Sequence, residues 1–195
     1  DYSGVSSVFF DLPAVVAIHD ASGCTGNYTG YDEPRWYGAS AAIFCSALRD
    51  IDAVMGDDEK LIGRMIAACR DLGPKLTALV GSPVPMVVGS DMKGIATELE
   101  ARTGLPCFGF DTTGTAYYDR GVSAALIALL ERFAEPSPSV PNTVGIVGAT
   151  PLDFADGVDI RNLQDALQER GIGVTATLAM GYDLEALRRA ASARV

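Results

Sequence analysis

The feature that most constrains the fold is a repeated alternation of short apolar runs with amphipathic stretches. The apolar runs predict strands near residues 14–18, 52–55, 76–81 and 105–110. Apolar strands that are joined by helices form a parallel sheet whose two faces are both covered. The sequence therefore predicts an α/β protein with a doubly wound, mainly parallel sheet of the Rossmann-like kind.

The predicted helices have recognisable ends. They lie at about 57–72, 90–102 and 121–134. Asp57 or Asp58 can cap the first helix, Ser90 or Asp91 can cap the second, and Gly104 ends the second. We expect a further helix to begin near residue 38, unless the preceding stretch "YDEPRWY" is an interface patch.

A stretch rich in proline and serine divides the chain. The residues "EPSPSVPN" at 135–142 predict a linker, and the strand-helix-strand pattern starts again after them. We predict a Rossmann-like first domain at 1–134 and a partial second α/β domain at 143–195. Two strands and two helices make a poor independent core, which suggests a piece of a longer polypeptide.

Composition excludes several classes of function. The net charge is -10 at pH 7, and the 15 basic residues form no dense patch of the kind that binds nucleic acid. An anionic membrane surface would repel this charge, and the longest apolar runs fall well short of the ~20 residues of a bilayer span. The sequence predicts a cytoplasmic protein that binds neither nucleic acid nor membrane.

The four cysteines are widely spaced, without a C-x-x-C pair, so we expect reduced thiols. Cys45, Cys69 and Cys107 each lie in an apolar pattern, where a cysteine is usually a small buried hydrophobe. Cys24 lies outside any such pattern. It is therefore the cysteine with a candidate chemical role.

The loop after the first predicted strand reads "IHDASGCTGNYTGY" and holds His19, the only histidine of the chain. Gly23, Gly26 and Gly30 would let the backbone approach a bulky inorganic group, and Cys24 offers the soft thiolate that iron or zinc prefers. The alternative is a glycine-rich turn with an incidental cysteine. One cysteine and one histidine cannot complete a metal site by themselves.

Other common motifs are missing or ambiguous. The glycine spacing does not match the dinucleotide fingerprint, and neither a phosphate-binding P-loop nor a nucleophile elbow is present. Asp111 follows the fourth predicted strand, where either a ligand contact or a turn cap is plausible.

Several segments together resemble component 1 of the nitrogenase family, which includes the molybdenum-iron protein subunits and nitrogenase-like oxidoreductases. They are "HDASGCTG", "DAVMGDDEKLIGRMIAAC", "LVGSPVPMVVGSDMKGI", "GLPCFGFDTTG" and "VGIVGATPLDF". The matching family patterns are H-G-x-x-G-C, D-x-V-x-G-G-x-x-K-L and G-D-D-I. The resemblance extends over essentially all 195 residues.

This resemblance implies a function. It identifies Cys24 as a candidate ligand of an iron-sulfur cluster at the interface with a homologous or identical subunit. Gly23 and Gly26 would then be the positions of close approach, and His19 would shape the loop. An ATP-dependent iron protein would donate the electrons, and the isolated chain would be inactive.

The chain also departs from the family pattern. Pro83 stands where related subunits carry a third cysteine, and the remaining family cysteine would fall before Asp1. The sequence thus offers one matching ligand. Two alternatives stay open: a cluster-assembly scaffold or non-catalytic paralogue, and a small-molecule binding module that uses the cleft between two Rossmann-like halves.

Overall fold

The computed structural model of the protein describes residues 1–35, 39–56, 58–154 and 158–194. The strands are β1 Ala14–Ile18, β2 Ala42–Cys45, β3 Leu76–Val80, β4 Cys107–Phe110, β5 Val140–Pro141, β6 Thr143–Val147, β7 Gly173–Leu178 and β8 Ala193–Arg194. The α-helices are α1 Tyr2–Phe9, α2 Gly23–Asn27, α3 Asp50–Met55, α4 Asp58–Leu72, α5 Pro83–Val87, α6 Met92–Thr103, α7 Tyr118–Phe133, α8 Pro151–Phe154, α9 Val158–Gln168 and α10 Leu184–Arg188.

A parallel sheet with the order β2-β1-β3-β4 forms the centre of the molecule. In its register, Val15 of β1 lies between Ala42 of β2 and Thr77 of β3. β6 pairs in parallel with β7, and β5 pairs in parallel with β8. The prediction of a mainly parallel α/β fold is confirmed.

Helices cover both faces of the central sheet. On one face, Val16 and Ile18 pack in a core that contains residues of α1 and α7. On the other face, Val15 and Ala17 pack with residues of α4 and α6. The five residues of β1 are all buried, as the continuous apolar run of a central parallel strand requires.

The helix ends largely follow the predicted caps. The carboxylate of Asp91 accepts a hydrogen bond from the Gly94 amide at 2.9 Å at the start of α6, and Gly104 ends that helix in the left-handed region with φ 70°. Asp58 is the first residue of α4, whereas Asp57 lies outside the described residues.

Two predictions of secondary structure are wrong. Residues 52–55 belong to α3 rather than to a strand, and the second strand of the sheet is β2 at Ala42–Cys45. This strand also contradicts the helix expected to begin near residue 38, although residues 36–38 themselves lie outside the described ranges. An apolar run of four residues is too short for its periodicity to distinguish a strand from a helix.

The second half of the chain packs on the first. Leu178, Tyr182 and Leu187 belong to the same core cluster as residues of α1 and α7. The Tyr182 hydroxyl donates a hydrogen bond to the Val8 carbonyl at 2.5 Å, and the Gly181 amide donates one to Asp11 at 2.8 Å. The division into domains at 1–134 and 143–195 stays a prediction. The end of the predicted linker forms β5.

Candidate functional site

The candidate site lies at the carboxyl edge of the central sheet, in the loop after β1. In an open parallel sheet, ligands usually bind beyond this edge. The loop folds as the short helix α2, which carries Cys24, and continues as a π-helical turn at Tyr28–Asp32. Ser22 precedes α2 but makes no side-chain cap. Instead, Asp20 accepts hydrogen bonds from the amides of Cys24 and Thr25 at 2.8 and 3.2 Å.

Cys24 is a half-buried free thiol. Partial burial and then the negative charge of Asp20 raise the pKa of this thiol, while hydrogen bonds with the Tyr2 and Ser82 side chains act in the opposite direction. The free thiol therefore favours its protonated form. Binding of a metal at Cys24 would release that proton.

The glycines beside Cys24 leave open space. A Cβ atom built on Gly23 or Gly26 would meet nothing within 4 Å, and neither residue has a φ in the left-handed region. The same holds for Gly30. Neither the packing of the described residues nor the backbone conformation therefore requires glycine at these three positions.

His19 is buried and faces its neighbouring strands. Its Nδ1 atom lies 2.9 Å from the Ser46 hydroxyl, which follows β2, and its carbonyl accepts a hydrogen bond from Ser82, which follows β3, at 2.8 Å. These contacts join the end of β1 to the segments that follow β2 and β3. The expected role of His19 in shaping the loop that carries Cys24 stays a proposal.

The other three cysteines do not form a metal site in the described residues. Cys69 is buried as predicted, whereas Cys45 and Cys107 are only half-buried because they lie in the two edge strands of the sheet. The Cys45 thiol donates a hydrogen bond to the Asp20 carbonyl at 3.4 Å. Across the described ranges, no group of three or more His, Cys, Asp or Glu side chains is arranged to hold a metal ion.

Pro83 and Asp111 have structural positions. Pro83 is the first residue of α5 and supplies no ligating side-chain atom. The Asp111 carboxylate accepts a hydrogen bond from the Met92 amide at 3.0 Å and lies 3.7 Å from the Lys93 ammonium group. Asp111 therefore caps the start of α6, which favours the cap over the ligand contact.

Exposed apolar side chains occur in the segments that follow β1, β2 and β3. Tyr31, Val54, Met55 and Val87 are each at least 75% exposed. All four follow the carboxyl ends of adjacent strands, on the side of the sheet where Cys24 lies. Large exposed apolar surfaces are typical of sites that contact another protein.

Sequence reasoning missed three residues that organise this edge, namely Asp20, Ser46 and Ser82. A signal for Asp20 was present, because an Asp before a short glycine-containing helix is a common cap. The two serines had no such local signal, since each approaches the loop from a different strand.

The sequence profile of the family described as "Nitrogenase component 1 type Oxidoreductase" matches residues 1–195. The chain belongs to this family. The structure is similar to the solved structure titled "Nitrogenase Cp1 at pH 6.5", with a TM-score of 0.76 and 18% identity over 98% of this chain and 39% of that one. "Nitrogenase Cp1 at pH 5" gives a TM-score of 0.75 and 18% identity over 97% of this chain and 40% of that one. A comparison with curated proteins gives no significant match.

The chain thus spans about two fifths of the length of these component 1 structures. At this level of identity, the similarity establishes the fold. In the part of the chain that the structure describes, no helix combines the length and apolar character needed to cross a bilayer.

Membership of the component 1 family implies a metal-sulfur cluster. The residues at this edge of the sheet can supply one ligand to such a cluster. Cys24 supplies a partly exposed thiol, and Gly23 and Gly26 leave space beside it. Pro83 cannot supply a second ligand through its side chain. The site fits a cluster whose other ligands come from elsewhere.

Proposed function

We propose that the chain is part of a cytoplasmic nitrogenase-like oxidoreductase and transfers electrons through an iron-sulfur cluster at a subunit interface. In this proposal Cys24 is one ligand, and a homologous or identical component 1 subunit supplies the others. The observation that carries the proposal is the half-buried Cys24 thiol at the carboxyl edge of the sheet, next to the open space at Gly23 and Gly26.

The residues of the loop would have separate tasks. Cys24 would hold iron through its deprotonated thiolate, and Gly23 and Gly26 would allow the cluster to approach closely. His19 holds the end of β1 against the segments after β2 and β3. When bound, an iron-sulfur cluster supplies reversible one-electron transfer.

The partner subunit would cover the exposed apolar side chains that follow the three strands. Covering Tyr31, Val54, Met55 and Val87 would remove apolar surface from water, which stabilises association. Family membership further supports an ATP-dependent iron protein as the electron donor. The net charge of -10 supports a chain that, in this proposal, binds neither nucleic acid nor an anionic membrane.

A second candidate is a cluster-assembly scaffold or a non-catalytic paralogue. Pro83 at the position of an expected ligand supports this alternative, as does the lack of a group of three ligating side chains in the described ranges. Iron content distinguishes the oxidoreductase from a non-catalytic paralogue that has lost cluster ligation, because such a paralogue would contain none.

The first prediction concerns the iron of the assembled protein. The complete natural chain, produced anaerobically with its partner subunit, is expected to contain iron and to show visible and electron paramagnetic resonance spectra of an iron-sulfur cluster. The Cys24→Ser variant is expected to lose most of this iron, since it lacks the thiolate ligand.

Cys107→Ser is the matched control. Cys107 is also a half-buried free thiol, but it begins β4 at the opposite end of the sheet. This variant is expected to keep the iron and both spectra. A colourless, iron-free complex would contradict electron transfer, and a Cys24→Ser complex with unchanged spectra would contradict ligation by Cys24.

A further inference from the structure

We propose that Asp20 is a positioning residue that holds Cys24 at the sheet edge before any metal binds. The inference rests on the proposed function in one respect, that Cys24 is the residue whose position matters. It assigns to Asp20 a role that acts through the backbone of α2.

The carboxylate of Asp20 binds the helix that carries Cys24. One oxygen, Oδ2, accepts hydrogen bonds from the amides of Cys24 and Thr25 at 2.8 and 3.2 Å. Amides in the first turn of a helix have no acceptor within that helix, so an outside acceptor fixes them. The first turn of α2 is therefore tied to the residue two positions beyond the end of β1.

The other carboxylate oxygen ties this turn to a second loop. The Ser82 hydroxyl, which donates a hydrogen bond to the His19 carbonyl at 2.8 Å, also lies 3.2 Å from Oδ1 of Asp20. Ser82 follows β3 and is fully buried, and Asp20 itself is only 2% exposed. A buried carboxylate that accepts two amide hydrogen bonds and contacts a buried hydroxyl has little freedom to move, and its hydrogen bonds are stronger than those of a neutral acceptor.

The backbone of Asp20 ties the same point to a third loop. The Asp20 amide donates a hydrogen bond to the hydroxyl of Ser46 at 3.0 Å, and this hydroxyl lies 3.2 Å from the Asp20 carbonyl. Ser46 follows β2. Asp20 thus joins the carboxyl ends of β1, β2 and β3, and α2 extends from this junction.

In this chain the link between the loops after β1 and β3 is made by protein atoms. Cys24 is therefore fixed by the fold itself, without a ligand at Pro83.

Hydrogen exchange of individual amides tests the proposal. In the complete natural chain purified without added metal, Asp20→Ala is expected to speed exchange at Cys24 and Thr25 by about tenfold or more, because both amides lose a charged acceptor. Asp20→Asn keeps one oxygen acceptor, so the increase is expected to be only about threefold. Mass spectrometry with electron-transfer fragmentation resolves these amides.

Asp91→Ala is the matched control, since it removes a similar cap from α6. It is expected to speed exchange at Gly94 and to leave Cys24 and Thr25 unchanged. If Asp20→Ala leaves those two amides unchanged, or if Asp20→Asn exchanges as fast as Asp20→Ala, the proposal is wrong. If Asp20→Ala does not fold, the Asp20→Asn variant decides. Faster exchange confined to the amides of Cys24 and Thr25 would support the proposal, and unchanged exchange at both would overturn it.

The two proposals fail in different ways. Hydrogen exchange is measured without metal and does not depend on whether Cys24 binds a cluster. Iron that is retained in Cys24→Ser would remove the proposed ligand and leave the role of Asp20 in α2 intact. Unchanged exchange in Asp20→Ala, together with iron loss in Cys24→Ser, would remove only the positioning role.

Discussion

Arg35 shows how one residue can connect several parts of this fold. Its guanidinium group binds Glu33 through two hydrogen bonds of 2.8 Å and Asp11 through one of 2.7 Å, and it lies over the Phe10 ring at 4.7 Å. The Glu33 side chain is completely buried, and the Arg35 side chain is 9% exposed. Because Asp11 also binds the Gly181 amide, this ion pair reaches the second half of the chain.

Replacing Arg35 is expected to destabilise the folded chain. Arg35→Met would leave the carboxylate of Glu33 buried without its partner, and the free energy of unfolding is expected to fall by about 3 kcal/mol. Urea denaturation of the variant and the natural chain measures this difference.

Arg102→Met is the control for the charge. Arg102 also binds two carboxylates, those of Glu59 and Glu98, but its side chain is 37% exposed. Water screens such a pair, so the expected loss is much smaller than that of Arg35→Met. Equal losses in the two arginine variants would contradict the role of burial.

Only part of the arrangement of these residues could be predicted from the sequence. The stretch "YDEPRWY" suggested an interface patch or the start of a helix, and its Trp36 and Tyr37 lie outside the described residues. Tyr31 is exposed, whereas Glu33 and Arg35 form the buried ion pair. Charged residues are rarely buried unless they are paired, and the partner Asp11 is distant in sequence.

At the scale of elements, the packing of α1 against α7 depends on two glycines. A Cβ atom on Gly121 of α7 would come within 1.8 Å of the Asp1 carbonyl, and one on Gly4 of α1 would come within 2.1 Å of the Tyr118 carbonyl. Backbone atoms cannot yield to such contacts as a flexible side chain can. The two helices therefore approach more closely than any larger residue would allow.

Gly121→Ala is expected to lower the free energy of unfolding by about 3 kcal/mol, because α1 and α7 must move apart. Gly63→Ala is the matched control, since Gly63 also lies within a helix and a Cβ there would meet nothing within 4 Å. The free energy of unfolding of this control is expected to rise by about 1 kcal/mol, because alanine has a higher helix propensity than glycine. Thermal denaturation of both variants checks the opposite signs, and two losses of similar size would contradict the account.

Predictions at this scale succeeded where one local pattern was long enough. The 15 residues of α4 and the 12 residues of α6 repeat apolar positions with helical spacing, and both helices were predicted. α3 has six residues and no buried one, and it was predicted as a strand. Its exposed Ile51, Val54 and Met55 follow no pattern that a strand of the core would need.

At the scale of the whole molecule, the free energy of unfolding is expected to fall at alkaline pH. Burial raises the pKa of Tyr28 and of Tyr182 well above the ordinary value, with nearby acidic groups adding to the effect. Both tyrosines belong to the core on one face of the sheet, and Tyr182 comes from the second half of the chain. Their titration therefore reports on the packing of both halves.

The direction of the effect follows from proton binding. Above a pH of about 10, tyrosines of the unfolded chain lose their protons while the two buried ones keep theirs. The folded state then binds more protons, so the free energy of unfolding falls by about 1.4 kcal/mol per pH unit for each tyrosine. The stability that the two buried, protonated tyrosines contribute is fully present below pH 10 and is lost as the pH rises.

Tyr28→Phe and Tyr182→Phe are each expected to reduce this slope between about pH 10 and 11, because phenylalanine does not titrate. Urea denaturation at closely spaced pH values measures the slope, and measurements at pH 7 give the baseline stability of each variant. A slope that is the same in the natural chain and in the double variant would contradict the prediction.

The sequence by itself determined the parallel α/β architecture, the main helices and the place of Cys24 in the loop after β1. These features depend on residues that lie within a few positions of each other, since periodicity, caps and turns are local properties. Only the tertiary structure decided which apolar run is β2, how Asp20 meets a serine 62 positions away, and how Arg35 reaches Asp11. Such contacts depend on which strands and helices become neighbours, and the packing of the whole chain fixes that choice.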